Sequence, residues 1–170
     1  GEERHGQLDR VDASGADAVI DVLCDAFADY PVMRYVVGEQ PDYAERLRIL
    51  VGLFVTLRVA RADLLLGLAE DSGRLVAAAV VNLPGERAIA PWFEERRTAA
   101  WAALGRDAEA RYQAYGAATR PFDPPLPHHH LGLIGVKRSR HGTGLGRTLL
   151  DKVHNLSLAE IAHLVGFSEQ

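Results

Sequence analysis

The sequence predicts a mixed α/β fold, a sheet flanked by helices, and three observations carry that reading. Two apolar runs, residues 64–70 and 74–83, flank Asp71-Ser72-Gly73, the pattern of an antiparallel hairpin closed by a turn. Residues 43–61 place Leu47, Leu50, Val51, Phe54, Leu57 and Arg58 at helical spacing, which marks a long helix with a broad apolar face. The run from His130 to Val136 then ends in a glycine-rich turn that opens directly into another helical pattern.

Taken in order, residues 7–12 (Gln-Leu-Asp-Arg-Val-Asp) alternate weakly and read as a short first strand. Ser14 is the expected N-cap of a helix that runs to about Asp29 and is stopped by Pro31. The long helix and the hairpin follow, with Ala77, Ala78 and Ala79 implying tight packing on the second hairpin strand. Pro84-Gly85 ends that strand, and Pro91 to about Thr119 forms one or two helices broken near Gly105. The stretch from Pro121 to Pro127 is too proline-rich for helix or central strand and is read as a loop. His130 to Val136 is expected as a central strand and Lys137 to Thr143 as a loop. Gly144 to Glu160 is the last helix, with Leu145, Leu149, Leu150, Val153 and Leu156 inward. No repeat and no dividing linker interrupts this series, so residues 1–170 are read as one domain.

A chain of 170 residues buries roughly 70% of the surface it would expose unfolded, enough for a sizeable core. Hydrophobic content of 48% with 25% charged residues excludes a disordered or fibrous chain. A net charge of −4 supplies no global basic field, so nucleic acid is not an expected partner. The longest apolar runs, residues 64–68 and 75–81, fall far short of the ~20 residues of a membrane helix. The start Gly-Glu-Glu-Arg-His has no apolar signal core, and the expected address is cytoplasmic. Cys24 lies on the face shared by Val19, Ile20, Leu23 and Phe27 and is read as buried packing.

The chemistry concentrates between Leu133 and Arg147. A strand that turns through glycines into a helix aims free backbone N–H groups and the positive end of the helix dipole at one point, which suits an anion. Gly142, Gly144 and Gly146 let the backbone approach a ligand, while Arg140 and Arg147 can add charge at the rim. A diphosphate is the natural guest. A Walker loop would require Gly-Lys-Ser/Thr, which is absent, and a dinucleotide fingerprint would require differently spaced glycines early in a βαβ unit. A plain glycine-rich connection, with no ligand, is the remaining alternative.

Val136 to Gly146 resembles the acetyl-CoA signature of the GNAT (Gcn5-related N-acetyltransferase) superfamily, Arg/Gln-x-x-Gly-x-Gly/Ala after a strand ending in Val. His141 stands at the Arg/Gln position, Gly144 and Gly146 at the small-residue positions, and Leu149-Leu150 at the apolar pair of the helix. The order of elements over residues 7–160 also fits, and the helical insert at 91–119 looks most like the puromycin-acetyltransferase-like branch. The resemblance implies a GNAT fold, with a central, mostly antiparallel sheet containing a splayed parallel pair. It implies acetyl-CoA as cofactor, with the pyrophosphate held by the amides of His141, Gly142, Gly144, Gly146 and Arg147, and with Thr143 and Leu145 in the same cofactor-binding loop. It further implies that the pantetheine arm pairs with the strand edge of Ile134 and Val136, with Gly135 between them counted as cofactor-binding, and that an amine attacks the thioester directly.

The sequence departs from the family pattern in two places. Where many relatives carry a carboxylate base on the signature strand, this chain has Gly132. His128 and His130 are the nearest substitutes, since an imidazole titrating near ~6.5 can accept an ammonium proton, and His130 is the better placed; the plain alternative is a partly exposed strand start after a proline loop. His128, His129 and His130 are not expected to bind metal, because successive strand residues face opposite ways. After Glu160 the family's fifth strand is missing, and the position of its general-acid Tyr falls near Ala162. The C-terminal part accordingly reads as incomplete beyond 160, although Gly166-Phe167 resembles the family's terminal Gly-Phe. Tyr30 and Tyr35 fall where relatives shape the acceptor pocket but read first as packing, and Glu39, Asp42 and Glu86 are loop acids able to attract a cationic amine that read first as solvated surface. The expectation is therefore a monomeric or homodimeric acetyltransferase for a small-molecule primary amine. A non-catalytic acyl-CoA-binding domain and a protein acetyltransferase are the rival readings.

Overall fold

A computed structural model describes residues 9–119 and 130–154. In chain order the elements are β1 (Asp9–Arg10), α1 (Ala16–Phe27), α2 (Pro31–Val37), α3 (Tyr43–Ala60), β2 (Leu64–Ala69), β3 (Leu75–Asn82), α4 (Phe93–Leu104), α5 (Arg106–Thr119), β4 (His130–Val136) and α6 (Leu145–His154). Single 3-10 turns at Ala13–Gly15 and Arg138–Arg140 precede α1 and α6.

The strands form a four-stranded sheet in the order β1-β2-β3-β4, and every pairing is antiparallel. β2 and β3 are apolar almost throughout because both faces of the sheet are covered. On one face Leu65, Ala78 and Val80 join the core built by α1, α2 and α3. On the other, Leu64, Leu66, Ala79 and Val81 pack with Leu145 and Leu149 of α6. α4 and α5 do not cover the sheet but pack on α3 and α2.

Two buried charged side chains hold the helices in place. Arg46, 9% exposed, donates to Val37 O (3.0 Å) and Leu104 O (2.8 Å), the last carbonyls of α2 and α4. Helix ends leave such carbonyls without intrahelical partners, and a guanidinium satisfies both while complementing the helix dipoles. Asp63, at the start of β2, accepts from the Leu83 amide (3.0 Å) and from Arg58 (3.1 Å), with Arg61 at 3.6 Å. It ties the end of α3 to the end of β3.

The structure corrects the sequence reading at several points. Asp12, not Ser14, caps the turn before α1 by accepting the Ser14 amide at 3.0 Å. Pro31 opens a helix as well as following one: the first turn of α2 needs no N–H there, and the ring's fixed φ suits it. The break near 105 is real, with Gly105 at φ 94° separating α4 from α5. β4 lies at the edge of the described sheet, not at its centre. A parallel partner for β4 would have to follow α6, outside the described residues. Leu145 and Leu149 face inward as expected, whereas Leu150 is 47% exposed. The ends of the expected first strand and last helix, the 121–127 loop and His128 also lie outside the described residues. Among those described, no helix is long and apolar enough to cross a membrane.

Candidate functional site

α1 and α6 lie on opposite faces of β4, and the glycine corner between β4 and α6 opens a groove of about 530 Å³. Ile134, Gly135 and Val136 form its strand wall, Ala26 and Phe27 its α1 wall, and the residues from Arg140 to Leu150 its rim. α1 approaches closely because Gly135 has no side chain: a Cβ there would lie 2.7 Å from Ala26 Cβ.

The amides of the corner divide into two sets. His141 N–H donates to Arg138 O (3.1 Å) and Thr143 N–H to Arg140 O (3.3 Å), so neither is available to a ligand. For His141 this corrects the expectation of an amide contact with the pyrophosphate. Thr148 is the first amide of α6 to reach an acceptor, Gly144 O at 3.0 Å. Those of Gly142, Gly144, Leu145, Gly146 and Arg147 find no acceptor among the described residues, as a helix N-terminus requires. Gly142 and Gly144 sit at φ 80° and 82°, a region that side chains strain to enter, so the corner's path depends on glycine there.

Lys137 N–H donates to Val76 O (2.9 Å), which fixes the strand's alternation: Gly135 also turns its backbone toward β3, while Ile134 and Val136 turn theirs outward. On that outer edge the His141 ring meets Val136 O, with Nε2 at 2.9 Å. His141 thus acts on the groove through its ring. The corner is pinned from outside by Arg138, whose amide donates to Asp25 Oδ2 (2.7 Å) and whose guanidinium reaches Asp29 (3.3 Å). Arg140 is already paired with Glu70 of the hairpin turn, where Ser72 and then Arg140 hold the Glu70 carboxyl below its usual range. Arg147 has no ion-pair partner among the described residues and lines the groove.

A second hollow of about 550 Å³ lies beside the first, and Phe27 and Ile134 line both. Its walls come from α1 through α3, from α5, and from Val80, Asn82, Gly132 and Leu133 of the sheet. Val80 pairs with Leu133 and Val81 with Leu131, so Gly132 is the extra residue of a β-bulge facing this hollow. Tyr30 lines it, while Tyr35, 51% exposed, does not. Glu39, Asp42 and Glu86 are exposed and take no part in its walls, and Glu39 lies 3.6 Å from Arg34. His130 pairs in the strand register with Asn82, a residue that lines the hollow.

Residues missed from sequence are Phe54, Arg58, Tyr112 and Tyr115. Arg58 was visible as a cation in the apolar stripe of α3, and Tyr112 and Tyr115 share a helix face at i, i+3. Burial pushes the Arg58 guanidinium below and the Tyr112 hydroxyl above their ordinary values. Cys24 is half-buried against the core, and burial raises its thiol to about 11. No group of side chains among the described residues could hold a metal ion.

No protein-family model and no curated protein matches the chain. Among solved structures, one match is the histone acetyltransferase HPA2 and related acetyltransferase from Corynebacterium glutamicum. It is 24% identical with a TM-score of 0.61, over 88% of this chain and 70% of that one. At this identity the likeness establishes the fold: the chain has the mixed α/β architecture of that acetyltransferase, as the sequence predicted.

Proposed function

We propose that this chain is an acetyl-CoA-dependent N-acetyltransferase of the GNAT superfamily that acetylates a primary amine of a small molecule. The observation that carries the reading is the set of amides without acceptors at Gly142 and Gly144 to Arg147, gathered at the positive end of α6 beside a separate hollow. Their donor set fits the diphosphate of coenzyme A, and the outward backbone of Ile134 and Val136 fits an amide-bearing arm lying along the strand edge. Bound acetyl-CoA would supply a thioester carbonyl carbon, so that amine and thioester give an amide and the free thiol.

The chain's own residues have three tasks. The glycine corner and Arg147 hold the anionic end. The β-bulge at Gly132 interrupts the regular ladder beside the second hollow, leaving backbone groups to polarise a carbonyl there. His130, opposite Asn82 in the strand register, is the proposed base that takes the amine proton. The insert formed by α4 and α5 supports placing the chain near the puromycin-acetyltransferase-like branch.

A binding-only domain is the second reading, favoured by glycine at the family's acid position on β4. Thiol release from acetyl-CoA over a panel of primary amines separates the two. Turnover that falls when His130 is changed to Ala supports catalysis, whereas cofactor binding with no release for any amine supports the binding-only domain. Absence of CoA binding at millimolar concentration overturns both.

A further inference from the structure

The second hollow has a chemical character that selects among amines, and the inference drawn from it rests on the acetyl-transfer reading. Among the described residues its lining contains no carboxylate, and Arg58 is its charged group. Arg58 is 16% exposed and shares its charge with buried Asp63, so the cation is fixed in place and does not swing away. Aromatic rings supply much of the remaining wall. Phe27 packs edge-on against Tyr30 with centroids 5.4 Å apart, and Phe54 packs on Tyr112 at 5.6 Å. The rings contact one another and line the hollow as apolar surface.

One polar atom in the wall lacks a partner among the described residues. Asn82 Oδ1 is buried and accepts no hydrogen bond from any of them, and it would lie 3.4 Å from a Cβ at Gly132, beside the bulge. A buried carbonyl left without a donor is costly, and an N–H from a ligand is the partner it lacks. A neutral amide oxygen can receive one amino group. It cannot compensate several separated ammonium charges in an apolar space that already holds a guanidinium.

We propose that the hollow receives a monoamine with an aromatic or apolar body, its amino group directed to Asn82 at the β-bulge, and discriminates against polyamines and lysine-bearing peptides. The body fills the ring-lined volume of about 550 Å³, within the range of small-molecule pockets.

Calorimetric titration of 2-phenylethylamine and of spermidine into the protein, with and without CoA, tests this directly. 2-Phenylethylamine is expected to bind at least roughly tenfold more tightly than spermidine. Gly116 lines the hollow and a Cβ there meets nothing within 4 Å, so Gly116→Glu introduces a carboxylate at the wall from an open position. That variant is expected to narrow the preference by roughly fivefold or more, and Asn82→Leu to weaken 2-phenylethylamine while leaving CoA affinity unchanged. Spermidine binding as tightly as 2-phenylethylamine to the unmodified protein overturns the inference, even if CoA binds. Aromatic preference without any CoA binding supports it and retires the acetyl-transfer reading alone.

Discussion

The two hollows of this protein have nearly the same volume, about 530 and 550 Å³, and share Phe27 and Ile134, yet they are built from different materials. The anion-holding end of the groove beside α6 is made of backbone, from one short stretch whose glycines set its path and whose amides lack acceptors among the described residues. Its neighbour is made of side chains drawn from α1, α2, α3, α5 and the sheet. A site of the first kind depends on local conformation, and one of the second kind depends on the packing of the whole fold. Substitutions should therefore separate them.

The largest effect is expected from Asp63→Ala. Removing this buried carboxylate leaves Arg58 and the Leu83 amide without their partner and should cost about 3–5 kcal/mol in urea unfolding. CoA affinity of the folded fraction should be unaffected, because the corner at 142–147 makes no contact with Asp63. Equal damage to both properties would erase the distinction between the hollows.

Gly144→Val makes the reverse test. At φ 82° a β-branched residue is strained, so the corner should shift and CoA affinity should fall roughly a hundredfold in calorimetry. The accompanying loss of stability should be only about 1–2 kcal/mol, measured by denaturation.

Gly135→Ala sits between these cases. Its methyl would meet Ala26 at 2.7 Å and press α1, the wall common to both hollows, away from β4. A stability cost of about 1–3 kcal/mol is expected, with both ligand affinities reduced together.

The smallest effect concerns Cys24 on the same helix. Its thiol ordinarily titrates near 9.0 and is raised to about 11 by burial, so the folded protein retains a proton that the unfolded chain releases. Stability from this group is therefore present below pH 9.0 and declines as pH rises through about 11. Thiol-reactive reagents should label folded Cys24 slowly at pH 8 and faster toward pH 11.

The same contrast explains what the sequence could reveal. The strand, corner and helix from His130 to His154 were legible because the glycines and the change of period lie side by side in the chain. Which amides were free was not legible: the 3-10 turn at Arg138–Arg140 consumes those of His141 and Thr143, and no propensity of those residues announces it. The hairpin and α3 were likewise plain from their patterns, whereas α2 was hidden because Pro31 reads equally as a stop and as a first-turn residue. The ring-lined hollow was invisible, since Phe27, Phe54 and Tyr112 come together only when α1, α3 and α5 pack. Leu150 failed for a related reason: helical spacing placed it near the apolar stripe, but the groove leaves it without a covering element.

The most direct test of the account follows backbone amide resonances while CoA is titrated into isotope-labelled protein. The amides of Gly142, Gly144, Leu145, Gly146 and Arg147 should shift strongly, and those of His141 and Thr143, already bonded to Arg138 and Arg140, should shift less. Unmoved glycine amides at this corner, with the changes located elsewhere, would contradict it.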